Sequence, residues 1–423
     1  MLTRRHLLAG AGASLATGCL AMPAVARARP KVAIIGGGAG GLSVLRSLTA
    51  LAGEAIDITL IEALETYTTC FYSNLHLGGV RSLQSLQFTY DAVAALPGVT
   101  RVRDRAEAID RDARTVRLSG GGTVPYDRLV VTPGIDLDYA SVPGWSREAE
   151  TVMPHAWKAG PQTALLKRQL EAVPDGGVIV MIAPPSPYRC PPGPYERVSM
   201  MARTLTEAGK TRARIVILDP KTSFSKQPLF QRGWETHYPG MVEWLPPMIH
   251  GGVKGVDPAT MSVETDFETL SGVALVNVIP RQTAGAIAVR AGLTGEQGFC
   301  PIDPFTMASR MDAQIMVLGD ACDAGDMPKS SFAANSQAQV AAQRLATDLL
   351  DQPAVTAAYA NTCWSLIADR DSVFVGGRYR PTAEKIAQVE SDVSGLDDTG
   401  ATRAANYEDS LAWYKGLTGT LFG

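Results

Sequence analysis

The chain has 423 residues, enough for two or three cores rather than one, and 46% of them are hydrophobic against 19% charged. That balance describes a globular protein with ample apolar material to bury. A net charge of −3 leaves no basic footprint for nucleic acid, and no lysine-rich run offers itself to an anionic membrane.

The first predicted element is an address. Arg4 and Arg5 stand side by side before the small and apolar run Leu7 to Met22, and Ala24-Val25-Ala26 offers a small-residue cleavage site. This is the pattern of a twin-arginine export signal over residues 1–29. It is too short and too rich in Gly and Ala for a membrane span, and no membrane insertion is expected. Ala16-Thr17-Gly18-Cys19 makes a poor lipoprotein box. The expected location is the periplasm, where cysteines meet oxidising conditions.

Lys31 to Ile35 reads as a buried parallel strand, followed by Gly36-Gly37-Gly38-Ala39-Gly40-Gly41 and a helical run from Leu42 to about Ala52. Asp57 to Ile61 is the next strand and closes with Glu62, completing a βαβ unit. Thr115 to Leu118 and Thr123 to Val124 make a hairpin, and Leu129 to Thr132 is a further buried strand. A second α/β pattern follows: helix Gln162 to Val173, strand Val178 to Ile182, helix Glu196 to Ala208, strand Ile215 to Leu218. A late strand, Ile315 to Leu318, runs into Gly319-Asp320, and a helix is expected from about Ser336 to Leu350. The tail from Val355 reads as less regular, with Gly376-Gly377 and Pro381 as breakers. The fold expected is α/β: two Rossmann-like dinucleotide-binding-type domains plus a C-terminal α+β domain. The FAD-binding domain is discontinuous, 30–143 and 282–354; the second Rossmann-like domain is 144–281, and the C-terminal domain is 355–423.

Gly36, Gly38 and Gly41 fit G-x-G-x-x-G between a strand and a helix. The first Gly allows the tight turn, the second lets a pyrophosphate approach the backbone, and the third permits close helix-on-strand packing. Glu62 follows at the distance where a carboxylate accepts from an adenosine ribose. Gly319-Asp320 resembles the late flavin motif of the glutathione-reductase-like flavoproteins, in which the Asp holds the ribityl chain. The helix entered through Met327-Pro328-Lys329-Ser330 would aim its positive end, with Lys329, at the flavin's N1–O2 edge. FAD is therefore the expected cofactor.

The corresponding strand-to-helix turn of the second module is filled with proline, from Ala183-Pro184-Pro185 to Pro191-Pro192-Gly193-Pro194. Proline fixes φ and removes the amide donor, the opposite of what a phosphate cradle needs. NAD(P)H is not expected there, and a cysteine sits in that loop. Beyond the signal there are five cysteines, Cys70, Cys190, Cys300, Cys322 and Cys363, with no C-x-x-C, no haem-attachment motif and no zinc spacing. No metal is expected. His76 and His155 read as structural, and spacing alone does not say which cysteines pair.

Several segments together carry a resemblance. Tyr67-Thr68-Thr69-Cys70-Phe71-Tyr72-Ser73-Asn74, Pro154 to Gly160, Arg189-Cys190-Pro191-Pro192-Gly193-Pro194-Tyr195-Glu196-Arg197, Gly298-Phe299-Cys300-Pro301 and Asn361-Thr362-Cys363 are similar to segments of the flavoprotein subunit of flavocytochrome c sulfide dehydrogenase. The resemblance runs from about Lys31 to the C-terminus. It implies FAD attached through Cys70, a redox-active Cys190–Cys363 disulfide, and a c-type cytochrome partner in a heterodimer. Hydrosulfide would open the disulfide, with Cys190 becoming the persulfide and Cys363 the flavin-side thiolate. Glu196 would handle protons, or else serve as an ordinary first-turn carboxylate. Cys300 has no assigned role. Cys322 departs from the family's pattern, and a buried inert thiol or a stray disulfide are both open to it. Tyr407 to Leu417 would belong to the substrate-side wall, an interface or the core. The alternatives are a sulfide:quinone oxidoreductase and a non-catalytic flavin electron-relay subunit.

Overall fold

The computed structural model describes residues 28–423; the arginine pair and apolar run of the expected export signal lie outside the described residues. In chain order the principal elements are β1 (Lys31–Ile35), α1 (Ala39–Ala52), β2 (Asp57–Ile61), β3 (Val99–Val102) and β4 (Arg128–Val131). Next come α2 (Pro161–Ala172), β5 (Val178–Ile182), α3 (Gly193–Glu207), β6 (Arg214–Leu218), α4 (Gln227–His237), β7 (Val242–Leu245) and β8 (Leu275–Val278). The chain finishes with β9 (Asp312–Val317), α5 (Ser331–Leu350), β10 (Tyr359–Ala368), β11 (Asp371–Pro381), β12 (Ile386–Val393) and α6 (Gly400–Phe422).

β1 is apolar from Val32 on because both its faces are covered. It is hydrogen-bonded in parallel between β2 and β4, with Val32 opposite Ile58 and Arg128. β9 adds on the far side of β4, Ile315 opposite Leu129, and the two-residue strand Ala308–Ser309 closes that edge. The first sheet therefore reads Ala308–Ser309, β9, β4, β1, β2, β3, drawing strands from two separate stretches of chain. The second sheet, β7-β6-β5-β8, is parallel throughout and comes from the stretch between them. This is the α/β architecture with two Rossmann-like sheets that the sequence pattern predicts. α1 covers the first sheet through Leu42, Leu45 and Leu48, all fully buried and each stabilising the fold by roughly 2 kcal/mol.

Two expectations shift. α5 starts at Ser331 rather than near Ser336, because the Ser330 hydroxyl accepts the Ala333 N–H at 3.0 Å and caps a whole further turn. The tail is not irregular: it is an antiparallel meander, β10-β11-β12, followed by a 23-residue helix. Gly376 and Gly377, read as breakers, lie inside β11. A Cβ on Gly377 would meet Gln388 Nε2 at 2.7 Å and the Tyr379 hydroxyl at 2.8 Å, so glycine there answers crowding rather than a turn.

Candidate functional site

The first sheet delivers its Gly-rich turn at the carboxyl end of β1, where open α/β sheets bind ligands. Gly36 has φ +98°, and a Cβ there would sit 2.4 Å from the Thr132 carbonyl oxygen. A Cβ on Gly41 would lie 1.9 Å from the Gly36 carbonyl oxygen, so the third glycine sets how closely α1 meets β1. Gly38 is different: its nearest neighbour beyond the turn is the Tyr67 ring at 3.6 Å, which leaves room for a ligand. Glu62 follows β2, and its carboxylate accepts the Gly37 and Leu64 N–H groups, each at 2.8 Å.

The carboxyl end of β9 lies alongside. Gly319, at φ +73°, donates its N–H to Gln337 Oε1 at 2.8 Å. Asp320 comes next, and its Oδ1 is buried without a hydrogen-bond partner among the described residues. Its Oδ2 lies 3.9 Å from the Arg189 guanidinium. Burial raises the Asp320 carboxyl, against the pull of Arg189 and Lys329. A buried acceptor without a donor, beside a glycine cradle that a Cβ would fill, fits the ribityl hydroxyls and pyrophosphate of a flavin dinucleotide. Lys329 donates to the Cys322 carbonyl, and its ammonium stands 3.7 Å over the Phe299 ring. Cys300 and Cys322 face each other across two short parallel strands as buried free thiols, with Cys322 Sγ donating to the Gly319 carbonyl at 3.2 Å. Burial pushes both thiols up to about 12.

The proline-rich loop after β5 delivers Cys190. The residue adopts a left-handed φ of +56°, costly for a side chain with a Cβ and tolerated only where the surroundings over-determine it. Here the Cys190 N–H donates to the Lys329 carbonyl at 2.7 Å, and its own carbonyl accepts from Gly193 at 2.8 Å. Gly193 opens α3; a Cβ on it would come within 2.9 Å of Cys190 Sγ. Cys70, Cys190, Cys363 and Glu196 all line one cavity, although they come from three separate stretches of chain. All five described cysteines are free thiols in this structure.

Glu196, in the first turn of α3, accepts from Asn74 Nδ2 at 2.8 Å and from the Leu366 N–H at 3.0 Å. Burial pushes its carboxyl up, against those hydrogen bonds and the charges of Lys226 and Arg197. The two cysteines differ. Burial raises Cys190 well above the ordinary thiol range, and Cys363 and Glu196 push the same way against Arg189. Burial also raises Cys363, but Asn361, Lys226 and Ser330 all draw it back toward the thiolate. Asn361 bonds to Cys363 Sγ at 3.5 Å and accepts from the Ser330 hydroxyl at 2.6 Å, which ties Cys363 to the cap of α5.

Sequence reasoning missed three groups here. Arg197 is 2% exposed and donates to four oxygens, those of Asn74, His155, Asn277 and Ala156, while stacking 4.9 Å from the Trp157 ring. Lys226 is buried behind Cys363. Asp219, at the end of β6, stands where a second nucleotide site would keep its ribose-binding carboxylate. It is fully buried and accepts from Tyr195, Trp244 and the Lys221 N–H, with the Lys221 ammonium 2.7 Å away. Only the last carried a sequence signal, an acidic residue closing a strand. His155 Nδ1 accepts the Trp157 N–H at 2.8 Å, and burial drives its pKa down to about 3, so it is a neutral structural group. From α6, Tyr407, Ser410 and Trp413 line the cavity, while Tyr414 and Leu417 are buried.

Family models agree with this layout. Residues 30–168 match pyridine nucleotide-disulphide oxidoreductase. Residues 163–280 match the central part of the sulfide dehydrogenase [flavocytochrome c] flavoprotein chain, and residues 355–422 match the flavocytochrome c sulphide dehydrogenase flavin-binding model. Together these matches describe a protein like the flavoprotein subunit of flavocytochrome c sulfide dehydrogenase. It is accordingly a flavin sulfide oxidoreductase by class, with FAD as its flavin. This flavoprotein is also 21% identical over 334 residues to the mitochondrial sulfide:quinone oxidoreductase of Mus musculus, covering 73% of the chain and 68% of that relative. The Dictyostelium discoideum counterpart is 32% identical over 115 residues, 27% of the chain and 25% of the relative. Among solved structures, the sulfide:quinone oxidoreductase of Aquifex aeolicus superposes with a TM-score of 0.73 at 17% identity over 92% of both chains. NDH2 of Plasmodium falciparum, solved in complex with NADH, superposes with a TM-score of 0.69 at 10% identity over 93% of this chain and 97% of that one. These superpositions speak for the shared fold alone.

Proposed function

We propose that the protein is exported to the periplasm, oxidises hydrosulfide at a Cys190–Cys363 disulfide, and delivers the electrons to a c-type cytochrome partner. The observation that carries this reading is the single cavity lined by Cys70, Cys190, Cys363 and Glu196. Gly36, Gly38, Gly41, Glu62, Asp320 and Lys329 would hold FAD, and Cys70 is the residue that would bond to it covalently. When bound, FAD supplies a two-electron acceptor able to pass electrons on singly.

The protein's own part begins with opening the disulfide. Hydrosulfide, an anionic nucleophile near neutral pH, attacks Cys190 Sγ; a new sulfur–sulfur bond forms there as the Cys190–Cys363 bond breaks. Cys363 leaves as a thiolate, the member of the pair whose burial is opposed by Asn361, Lys226 and Ser330. The proton remaining on the bound sulfur passes to Glu196, whose burial suits it to holding one. Arg189 and Arg197 flank this exchange and offset its negative charge.

The family's cytochrome partner supports the proposed acceptor, and no haem-attachment motif occurs in these 423 residues. The match to mouse sulfide:quinone oxidoreductase favours a second reading, with a quinone as acceptor. Among the described residues no helix is long and apolar enough to cross a membrane.

Anaerobic titration with sulfide, followed by flavin absorbance, tests the reading. Stoichiometric bleaching by sulfide and not by NADH is expected, lost in Cys190→Ala and Cys363→Ala at unchanged flavin content. Reoxidation by cytochrome c but not by a soluble quinone selects the first acceptor, and the reverse selects the second. Bleaching that persists in Cys190→Ala overturns the disulfide step.

A further inference from the structure

α4 is entered through Lys226, which takes a left-handed φ of +63° and turns its side chain inward; the residue is 7% exposed. Its ammonium donates to the Cys363 carbonyl at 3.0 Å, the Ser365 hydroxyl at 2.8 Å and the Val373 carbonyl at 3.3 Å. No carboxylate pairs with it among the described residues. A buried cation held only by neutral oxygens is expensive unless an anion nearby offsets its charge. The titratable groups facing it are Cys363 from β10, Cys190 from the proline-rich loop and Glu196 from α3. β11 adds Tyr379 beside Cys363. Glu196 already has its own donors in Asn74 and the Leu366 amide. Cys363 shares a face of β10 with Ser365, two residues on, so its sulfur and the ammonium lie on one side of the strand.

We propose that Lys226 is a positioning residue for the sulfide reaction: its buried ammonium, anchored to the strand that carries Cys363, supplies the charge that makes Cys363 rather than Cys190 the thiolate of the opened pair. The inference rests on the reading of Cys190 and Cys363 as a redox pair and adds which member carries the charge, and why.

The site is also built to release a proton without orphaning a polar group. As an ammonium, Lys226 donates to all three oxygens. As a neutral amine it still donates to the Cys363 and Val373 carbonyls, and the Ser365 hydroxyl can turn to donate to the nitrogen lone pair. Burial brings Lys226 down to about 8, against the opposing pull of Cys363, Glu196 and Cys190, which places this exchange near working pH. When the disulfide is closed there is no thiolate to offset, and the neutral amine is favoured. When it opens, a proton returns to Lys226 as Cys363 gains its negative charge.

The experiment uses the flavin-containing protein, reduced anaerobically and alkylated with iodoacetamide between about pH 6 and about pH 10. Rates at Cys363 and Cys190 are read separately by peptide mass spectrometry. In the wild type Cys363 should react faster near neutral pH, with a second inflection close to pH 8 as Lys226 loses its proton. Lys226→Met should slow Cys363 by about tenfold near neutral pH, one unit of thiol pKa, and slow Cys190 by less. Lys226→Arg should restore the fast rate and remove the second inflection. Equal Cys363 rates in Lys226→Met and wild type, at equal flavin content, overturn the proposal. If the methionine variant does not hold flavin, an arginine profile that overlays the wild type above pH 8 overturns it instead. The parent reading fails differently, through sulfide bleaching that survives in Cys190→Ala, and alkylation rates do not depend on sulfide at all.

Discussion

Two sulfur atoms of the same element and oxidation state are treated unequally in this cavity. Burial, Cys363 and Glu196 favour the proton on Cys190 against the pull of Arg189, while the burial of Cys363 is opposed by an amide, a hydroxyl and a nearby ammonium. In the proposed exchange, such asymmetry would fix the direction of the step, because the better leaving group is decided before substrate arrives. His155 illustrates the opposite use of burial. Its ring accepts two backbone N–H groups and titrates near 3 instead of its ordinary 6.5. Because the folded value is depressed, the unfolded chain binds the extra proton first. Stability is full above about pH 6.5 and falls as pH drops toward 3, by about 1.4 kcal/mol per unit. Between pH 6.5 and pH 5 the loss should be about 2 kcal/mol. Denaturant unfolding at the two pH values should show that loss in the wild type and a flatter response in His155→Asn, whose side chain can accept the same hydrogen bonds without titrating.

At the scale of elements, the turn between β1 and α1 separates folding from binding within six residues. A methyl group on Gly41 would collide with the Gly36 backbone, whereas one on Gly38 meets only ordinary contact with Tyr67. Gly41→Ala should therefore lower stability by roughly 2 kcal/mol or more even without flavin, since the backbone cannot yield cheaply. Gly38→Ala should leave the unfolding midpoint of the flavin-free chain nearly unchanged and weaken flavin binding at least about tenfold, one lost hydrogen-bond equivalent. Thermal unfolding and flavin titration distinguish the two. The first βαβ unit was legible in the sequence because its glycines, apolar runs and closing carboxylate depend on local geometry alone. Half of the second sheet, β5 and β6, was legible for the same reason; β7 and β8 were not read from the sequence. The meander was not: Gly376 and Gly377 look like breakers until the neighbouring strand is present to crowd them. Lys226 was hidden more thoroughly. It sits in a polar stretch, Ser223-Phe224-Ser225-Lys226-Gln227, and nothing local marks a lysine that tertiary packing buries beneath a strand.

Over the whole molecule, α6 works as a clasp across units distant in sequence. Phe422 stacks on Tyr67 and Phe88, Tyr414 meets the Thr69 hydroxyl at 3.1 Å, and Trp413 stacks on Phe332 at the start of α5. Arg46 of α1 donates to the carbonyl of Gly423 at 2.6 Å. The helix thus covers the Cys70 segment and joins the first sheet's helices to the cavity wall. A chain ending before Gly400 should purify with little flavin, read from absorbance after gel filtration, while its second parallel sheet stays folded by circular dichroism. Tyr414→Phe, which loses the hydroxyl's bonds to Thr69 and to the Ser85 carbonyl, should cost only about 1–2 kcal/mol and retain flavin.

The clasp also sets an order of events in the cell. The glycine cradle leaves the ribosome early, but β9 with Asp320, then Cys363, and finally α6 follow some hundreds of residues later. Domains fold as they emerge, amino-terminal first, so a growing chain presents half a cofactor site that has no partner strand and no cover. Flavin capture is thereby a completion step. A chain released before β9 would lack Asp320, Cys363 and the cover of α6, and so the late half of the site.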